Sequence, residues 1–333
     1  MRKIGNPFIL GLALFLGVAL GVGATQIIAK LSGSTVEAYP IRESGSAYQF
    51  IHPLIGLEIG DKKDFLGYVP LEQKIEAVIA EYKRKGIIDS VGVYFRDLES
   101  AKWTGVNEDE KFAPASLYKT GLMIAYLKQA ENDPTILDRK IYFKESREQA
   151  LGTPDYPPII PGQYYTVKQL IEHLIINSDN DAKDLLHDNM DQRYVNEVFT
   201  DLGLESPDTT EVGDSMSAKA YSRFFRTLYS STYLSRTMSE LALSILSKAK
   251  FNEGLVAGVP SGVVVAHKYG FRILNQKNIG EGGANMELHD CGIVYAESTT
   301  YFLCVMTKGW NPIDLKEVIA SVSKATYEEI GKK

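Results

Sequence analysis

Strand-like runs stand at both ends of the body of this chain and flank a long block of helical patterns. The runs are Val91–Phe95, Trp103–Val106, Val263–Tyr269, Cys291–Ala296 and Tyr301–Thr307. Amphipathic helices open the body at Pro70 and close it from Pro312, because their apolar residues recur with the helical period. This order predicts an α+β fold. Both chain ends build one antiparallel sheet with flanking helices, and an all-helical lobe is inserted at about residues 114–260.

An N-terminal apolar segment decides the expected compartment. No charged residue lies between Pro7 and Ala29, and a helix of that length reaches roughly 35 Å, enough for a hydrocarbon core of about 30 Å. Arg2 and Lys3 precede the segment and favour a cytoplasmic N-terminus with the body outside. We expect a single-pass transmembrane helix. A cleaved signal peptide, with Val22–Ala24 as its small-residue site, is the alternative.

The predicted domain organisation follows. Residues 1–31 form the transmembrane anchor or signal segment, residues 32–69 an extracytoplasmic linker with Gly- and Ser-rich stretches, and residues 70–333 the folded domain. The apolar stretch at 50–55 is expected to pack on that domain. The protein is therefore expected in the cell membrane with its domain outside, or secreted if the segment is cleaved.

Composition excludes several classes of function. Without its first 31 residues the chain keeps 33 basic and 42 acidic residues, a net charge of −9, so it lacks the positive surface of a nucleic-acid binder. Its two cysteines, Cys291 and Cys304, are too few for a disulfide scaffold or a four-thiolate zinc site. We expect them as buried free thiols, although an extracytoplasmic compartment permits a disulfide. The five histidines have no metal-ligand spacing, so neither a metal nor another cofactor is expected.

A serine and a lysine stand three residues apart at a predicted helix start. On a helix, this spacing puts Ser116 and Lys119 on one face. A lysine whose pKa is lowered by burial and by cationic neighbours can take the proton of a serine hydroxyl and make it a nucleophile. Alone, the pair is weak evidence for catalysis, because most serine–lysine pairs with this spacing lie on helix surfaces.

Two further polar motifs stand at element ends. Ser178–Asn180 follows the helix that begins with Thr166 and Gln169 as a capping box. Lys268–Gly270 ends the strand-like run from Val263. Each has an ordinary structural interpretation, the first as a helix cap and the second as an edge-strand lysine.

Together, in this order, the three motifs resemble those of the serine β-lactamase and penicillin-binding-protein superfamily, and most closely its class A β-lactamase branch. The resemblance covers residues 70–333 and includes the helix that leads into Ser178–Asn180. It implies a β-lactamase/transpeptidase-like fold and an acyl-enzyme intermediate on serine.

The resemblance also implies catalytic roles. Ser116 would attack the carbonyl, Lys119 would be its base, and Ser178 would relay a proton to the leaving nitrogen. Lys268 would act on Ser178 electrostatically and attract a substrate carboxylate, and Asn180 would hold Lys119 and the substrate amide.

On the strand, the resemblance implies a substrate-binding edge at Gly270 and Phe271, with an oxyanion hole from the backbone N–H groups of Ser116 and Phe271. One position departs from the pattern. Tyr269 stands where the family has Thr or Ser, whose hydroxyl helps to hold the carboxylate. Arg272 is a candidate substitute or, alternatively, a solvated strand-end charge.

A second departure concerns the loop before the next helix. The family carries there a Glu that activates the water for deacylation, but residues 201–213 look shortened and contain only Glu205 and Glu211. Either glutamate is more readily explained as a surface charge of the loop. Without a placed base, water attack on the acyl-serine loses a factor of about 10²–10⁴.

These observations give two hypotheses for an extracytoplasmic serine hydrolase: β-lactam hydrolysis, and D,D-peptidase chemistry on the stem peptides of peptidoglycan. A third hypothesis, from another class, is a non-catalytic peptidoglycan-binding module with the same fold. The expected partners are a β-lactam or a peptidoglycan stem peptide, and the membrane through the N-terminal helix.

Overall fold

The computed structural model describes residues 37–42, 48–60, 68–147, 157–205, 216–274 and 285–331. The chain forms two compact units. The smaller contains Met1–Tyr39 and Leu57–Asp64, and its described residues belong to strands that pair in a two-stranded sheet. The larger, Pro40–Gly56 with Phe65–Lys333, carries the three motifs.

The helices and strands have the following bounds. The strands are β1 (Glu37–Arg42), β2 (Leu54–Gly60), β3 (Ile88–Asp97), β4 (Trp103–Val106), β5 (Lys111–Phe112), β6 (Lys140–Phe143), β7 (Gln163–Thr166), β8 (Met216–Ser217), β9 (Val264–Ile273), β10 (Met286–Tyr295) and β11 (Thr300–Gly309). The helices are α1 (Val69–Arg84), α2 (Tyr118–Asn132), α3 (Val167–Ile176), α4 (Asn180–Asp188), α5 (Gln192–Asp201), α6 (Ala218–Ser230), α7 (Arg236–Leu246) and α8 (Pro312–Ile330).

The main sheet has the strand order β4-β3-β11-β10-β9, and each neighbouring pair is antiparallel. Strands β3 and β4 come from the N-terminal side of the helical block, and β9–β11 come from its C-terminal side. The prediction of one antiparallel sheet from both chain ends, with inserted helices, is therefore confirmed.

This sheet is covered on both faces. Val93 and Phe95 of β3 pack in one cluster with residues of α1 and α8, whereas the intervening Tyr94 packs with the inserted helices. Because successive side chains of a strand point to opposite faces, a strand covered on both sides reads as a nearly continuous apolar run.

The segment before α1 is packed on the larger unit. Phe50 and Ile51 are buried, and three consecutive backbone N–H groups, at residues 49–51, donate to the carboxylate of Glu240. The hydroxyl of Tyr295 donates to the carbonyl of Phe50. This part of the expected linker therefore contributes core residues.

Local sequence signals place the helix ends around the site. The predicted capping box of α3 is present, because the Gln169 N–H donates to the Thr166 hydroxyl at 3.1 Å and the Thr166 N–H donates back at 2.8 Å. Ser116 differs from the prediction, since it lies in a 3-10 turn, Ala115–Leu117, just before α2. The prediction that the lobe at about residues 114–260 is all-helical was wrong, because the paired strands β6 and β7 and the short strand β8 lie within it. These strands and α5 are short, and the sequence patterns did not reveal them.

The two cysteines form a disulfide, and the expectation of buried free thiols was wrong. Cys291 of β10 and Cys304 of β11 are direct partners in the register, with an S–S distance of 2.08 Å and full burial. Direct cross-strand partners have adjacent Cβ atoms, so the register itself brings the sulfurs together.

The apolar run at 7–29 lies outside the described residues, so the anchor and the signal peptide stay predictions. Within the described ranges, no helix is both long enough and apolar enough to span a bilayer.

Candidate active site

The candidate nucleophile lies on a tight turn between β5 and α2. Ser116 is partly exposed, and the turn is closed by a hydrogen bond of 2.9 Å from the N–H of Leu117 to the carbonyl of Pro114. Ala115, directly before the serine, has φ of 47°. A left-handed conformation costs a non-glycine residue about 1–2 kcal/mol, so surrounding contacts must hold this turn.

Lys119 is buried beneath this turn, with 1% of its surface exposed. Its Nζ donates to the Asn180 Oδ1 at 2.6 Å and to the Ser178 carbonyl at 2.5 Å. The Ser178 Oγ lies 3.2 Å away. The structure thus brings three of the predicted site residues together around one amine.

Ser178 and Asn180 are held by the junction of α3 and α4. Asp179 is the N-cap of α4 and accepts the N–H of Ala182 at 2.9 Å. Ser178 itself has φ of 57°, and this left-handed residue reverses the chain so that both its carbonyl and its hydroxyl face Lys119. Burial is the main cause that raises the pKa of Asp179.

Lys268 of β9 is fully buried. Its Nζ donates to the carbonyl of Tyr269 at 2.8 Å and lies 4.3 Å from the centroid of the Tyr269 ring. Burial lowers the pKa of Lys268 well below its usual value, and the neighbouring Lys119 lowers it further. Two buried lysines in electrostatic reach of each other favour a state in which they share one positive charge.

Gly270 lets β9 approach the nucleophile turn. A Cβ at this position would lie 2.9 Å from the Pro114 carbonyl oxygen, closer than packing allows, and 3.3 Å from the Leu117 nitrogen. The next residue, Phe271, is 40% exposed, and Arg272 is partly buried. The strand edge therefore lies against the turn of Ser116, whereas the role of Arg272 toward a carboxylate stays a prediction.

Two buried residues of β10 that the sequence analysis missed hold the chain just before the nucleophile turn. The carboxylate of Glu287 accepts the N–H of Ala113 at 3.2 Å, and the Nε2 of His289 bonds the carbonyl of Ala113 at 3.0 Å. Because the N–H of Thr307 donates to the Nδ1 of His289, the histidine carries its proton on Nε2. Burial lowers the pKa of His289 to about 4. Alternation along β10 could have placed both residues on one face of the strand. Their common partner, Ala113, could be identified only from the three-dimensional structure.

His267 and Asp290 form a second buried pair next to Lys268. The His267 Nδ1 lies 2.7 Å from one carboxylate oxygen of Asp290, and the other oxygen accepts the N–H of Leu255 at 2.8 Å. No partner for His267 was predicted from the sequence. The carboxylate of Asp290 also favours the charged form of Lys268.

The two glutamates considered as deacylation bases are not both described. Glu205 is exposed and pairs with Lys111 at 3.0 Å, whereas Glu211 lies outside the described residues. Nor does the described part of the chain contain a group of three or more His, Cys, Asp or Glu side chains that could hold a metal ion.

Comparison with known proteins adds three findings. The model of the beta-lactamase enzyme family matches residues 70–330. Beta-lactamase L2 of Stenotrophomonas maltophilia is 31% identical over 102 residues, which cover 31% of this chain and 33% of that relative. The chain therefore matches about a third of the length of this curated relative.

Solved structures share the fold at lower identity. A mutant of PBP-A, solved as an acyl-enzyme with penicillin G, is 23% identical with a TM-score of 0.66 and covers 79% of this chain and 98% of its own. A class A beta-lactamase from Mycobacterium abscessus is 22% identical with a TM-score of 0.65, over 78% of this chain and 99% of its own.

Proposed function

The chain belongs to the beta-lactamase enzyme family and is a serine hydrolase, and from this premise we propose that it forms an acyl-enzyme on Ser116 with β-lactams and with D-alanyl-D-alanine-type amides. The observation that carries the proposal is the buried amine of Lys119, one helical turn from Ser116 and bonded to both Ser178 and Asn180. Acylation of the related PBP-A by penicillin G supports the choice of substrate.

The contacts of Lys119 suit a general base. The Asn180 Oδ1 and the Ser178 carbonyl can only accept hydrogen bonds, so they take up two N–H groups of the amine. A neutral amine then keeps its lone pair for the proton of Ser116. Burial and the second lysine, Lys268, disfavour a state in which both amines are charged.

The acylation step follows from this arrangement. The Ser116 Oγ attacks the carbonyl carbon while its proton moves to Lys119, and the backbone N–H groups of Ser116 and Phe271 stabilise the oxyanion. As the carbon–nitrogen bond breaks, Ser178 gives its proton to the leaving nitrogen and receives one from Lys119. Atoms and charges balance, and the product is an ester on Ser116.

Release of the acyl group is proposed to be slow with β-lactams. Glu205, the described candidate base, is exposed and paired with Lys111. General-base help is worth about 10²–10⁴ in rate. The lack of a placed base at Glu205 favours a D,D-peptidase, which β-lactams acylate, and disfavours an efficient β-lactamase.

The experiment uses the full chain, a fluorescent penicillin, nitrocefin and a peptide ending in D-alanyl-D-alanine. We expect labelling of wild-type protein, none of Ser116→Ala, release of D-alanine from the peptide, and little nitrocefin turnover. Rapid nitrocefin turnover would identify a β-lactamase. Wild-type protein that no serine probe acylates would favour the non-catalytic module.

We also propose that the domain works outside the cytoplasmic membrane, anchored through residues 7–29. Support comes from the uncharged run behind Arg2 and Lys3 and from the buried Cys291–Cys304 disulfide, since such bonds persist in oxidising compartments. In cells expressing the full chain, external protease should digest the domain, and the intact protein should stay with membranes after carbonate washing. A protease-protected domain would contradict the proposed orientation.

A further inference from the structure

The serine and the lysine of the first motif lie on opposite sides of a junction in the backbone. Ser116 belongs to the 3-10 turn Ala115–Leu117, whereas Lys119 belongs to α2, which begins at Tyr118. A 3-10 turn has three residues per turn and an α-helix has 3.6, so side chains on the two sides do not keep the fixed relation of a regular helix. The geometry of this junction therefore decides how Ser116 faces its proposed base.

A buried tyrosine of α6 bridges the junction. The hydroxyl of Tyr221 donates to the carbonyl of Leu117 at 3.2 Å, and it lies 2.7 Å from the hydroxyl oxygen of Thr120. Leu117 directly follows Ser116, and Thr120 directly follows Lys119. One phenol thus holds the residue next to the nucleophile and the residue next to the base.

The directions of both hydrogen bonds follow from the donors at hand. A carbonyl can only accept, so the single proton of the Tyr221 hydroxyl goes to Leu117, and the Thr120 hydroxyl donates to the phenol oxygen. Burial raises the pKa of Tyr221, so the phenol keeps that proton. Tyr221 and Thr120 are both fully buried, and a hydrogen bond inside a protein is electrostatically stronger than one in water.

Strand pairing and ring packing hold the Tyr221 hydroxyl at the junction. Helix α6 begins directly after β8, and Ser217 of β8 pairs with Lys111 of β5, the strand that leads into the nucleophile turn. The Tyr221 ring packs edge to face with Phe224, with ring centroids 5.5 Å apart. The hydroxyl is therefore in place before a substrate binds.

We propose that Tyr221 is a positioning residue, which bridges this junction and thereby keeps the Ser116 hydroxyl within reach of the Lys119 amine. The inference rests on the proposed acylation of Ser116 and adds a role to it. Tyr221 keeps its own proton throughout, and the proton of Ser116 still moves to Lys119. Loss of the bridge should therefore slow the chemical step and leave the noncovalent binding of penicillin unchanged.

The test compares two buried tyrosines whose hydroxyls make the same kind of contact. Tyr221→Phe keeps the ring and removes only the bridging hydroxyl. Tyr126→Phe makes the same change further along α2, where a fully buried hydroxyl donates to the carbonyl of Leu186 at 2.7 Å. We expect both variants to lower the melting temperature by a few degrees, since each loses one buried hydrogen bond to a carbonyl.

Acylation should separate the two variants. Stopped-flow labelling over a range of fluorescent penicillin concentrations gives the dissociation constant and the acylation rate separately. In Tyr221→Phe the acylation rate should fall by about 10–100-fold, as for a reacting group displaced by up to about 1 Å. Its dissociation constant should stay within about threefold of the wild-type value. In Tyr126→Phe neither quantity should change by more than about twofold, since independent sites do not couple.

Variants of Thr120 test the other end of the bridge and give a result even if Tyr221→Phe does not fold. Thr120→Val replaces the hydroxyl by a methyl group and should slow acylation, whereas Thr120→Ser keeps the hydroxyl and should restore most of the rate. Adding Thr120→Val to Tyr221→Phe should slow acylation no further than Tyr221→Phe alone, because both remove the same bridge.

The inference is overturned if Tyr221→Phe or Thr120→Val acylates at the wild-type rate, or if Tyr126→Phe slows acylation as much as Tyr221→Phe. It is also overturned if the loss lies in the dissociation constant, or if the losses at Tyr221 and Thr120 are additive. Failure of the proposed function has a different signature, because penicillin would then not label wild-type Ser116.

Discussion

The two halves of the candidate active site differ in how closely they follow the family pattern. The helical half carries Ser116, Lys119 and Ser178–Asn180. Each motif residue is present, and Lys119 bonds both Ser178 and Asn180. The strand half carries Lys268–Gly270, where Tyr269 replaces a small hydroxyl residue. The carbonyl of Tyr269 accepts a hydrogen bond from Lys268, and the Tyr269 ring contacts the same amine. In the proposed reaction, the helical half activates the nucleophile and the strand half holds the substrate.

From this difference we infer that the proposed acyl-serine chemistry is kept while substrate recognition is altered. An amine that acts as a base must be buried and must donate to two hydrogen-bond acceptors. These requirements leave few residue choices in the helical half. A strand edge that contacts a ligand tolerates another side chain, provided that Gly270 still lets it approach the turn. Variants in each half should therefore fail in different ways.

The largest effect is expected in the helical half. Lys119→Met removes the base and should slow acylation by penicillin by about 10²–10⁴. Lys128→Met, on the same helix but bonded to Tyr233 and Glu131, is the matched control and should acylate normally. Stopped-flow labelling measures both rates. A Lys119→Met variant that reacts at the wild-type rate would contradict the role of Lys119 as the base.

A smaller loss is expected where the sheet supports the helical half. Glu287→Ala leaves the buried N–H of Ala113 without its acceptor, which costs about 1–3 kcal/mol of unfolding free energy and shifts the turn of Ser116. Glu287→Gln keeps an acceptor oxygen and should restore most of both stability and acylation. Glu253→Ala removes an exposed partner of Lys316 and should cost less than about 1 kcal/mol. Denaturant unfolding measures all three, and equal losses for the three variants would contradict the role of Glu287.

The strand half should show a stability gain at the expense of activity. Lys268→Met removes a fully buried amine whose pKa burial lowers, so this variant should melt above the wild type at pH 7 while acylation weakens. Between the folded and unfolded pKa values the unfolded chain binds more protons, so wild-type stability rises with pH. The advantage of the variant should therefore shrink from pH 7 to pH 10. Melting curves of both proteins across that pH range measure this difference in stability. A stability advantage of Lys268→Met that grows with pH would contradict a lowered pKa of Lys268 in the folded protein.

The smallest effect is expected outside both halves. Glu205→Gln alters an exposed ion pair with Lys111, worth less than about 1 kcal/mol, and should change the lifetime of the acyl-enzyme by less than twofold. A lifetime that lengthens tenfold would instead make Glu205 the deacylation base.

Periodicity and motif spacing predicted the sheet from both chain ends, the helical insertion and the capping box at Thr166, because these depend on local patterns. The residues that meet around Lys119 were expected from the family resemblance, which the three motifs carry. The packing of Tyr269 on Phe251 and the Glu287–His289 contacts with Ala113 could not be predicted, since they join segments far apart in sequence. The disulfide was missed for a different reason, because it depends on a register between β10 and β11 that apolar composition does not fix.

The most direct test of the central claim is the intact mass of the full chain, followed over time after a single exposure to penicillin G. We predict one added penicillin mass, located on the peptide that contains Ser116. The adduct should persist after excess drug is removed and should be absent from Ser116→Ala. An adduct on another residue, or no adduct on the wild type, would contradict acyl-serine chemistry at this site. An adduct that is lost within one measurement interval, together with hydrolysed penicillin in solution, would contradict the slow release.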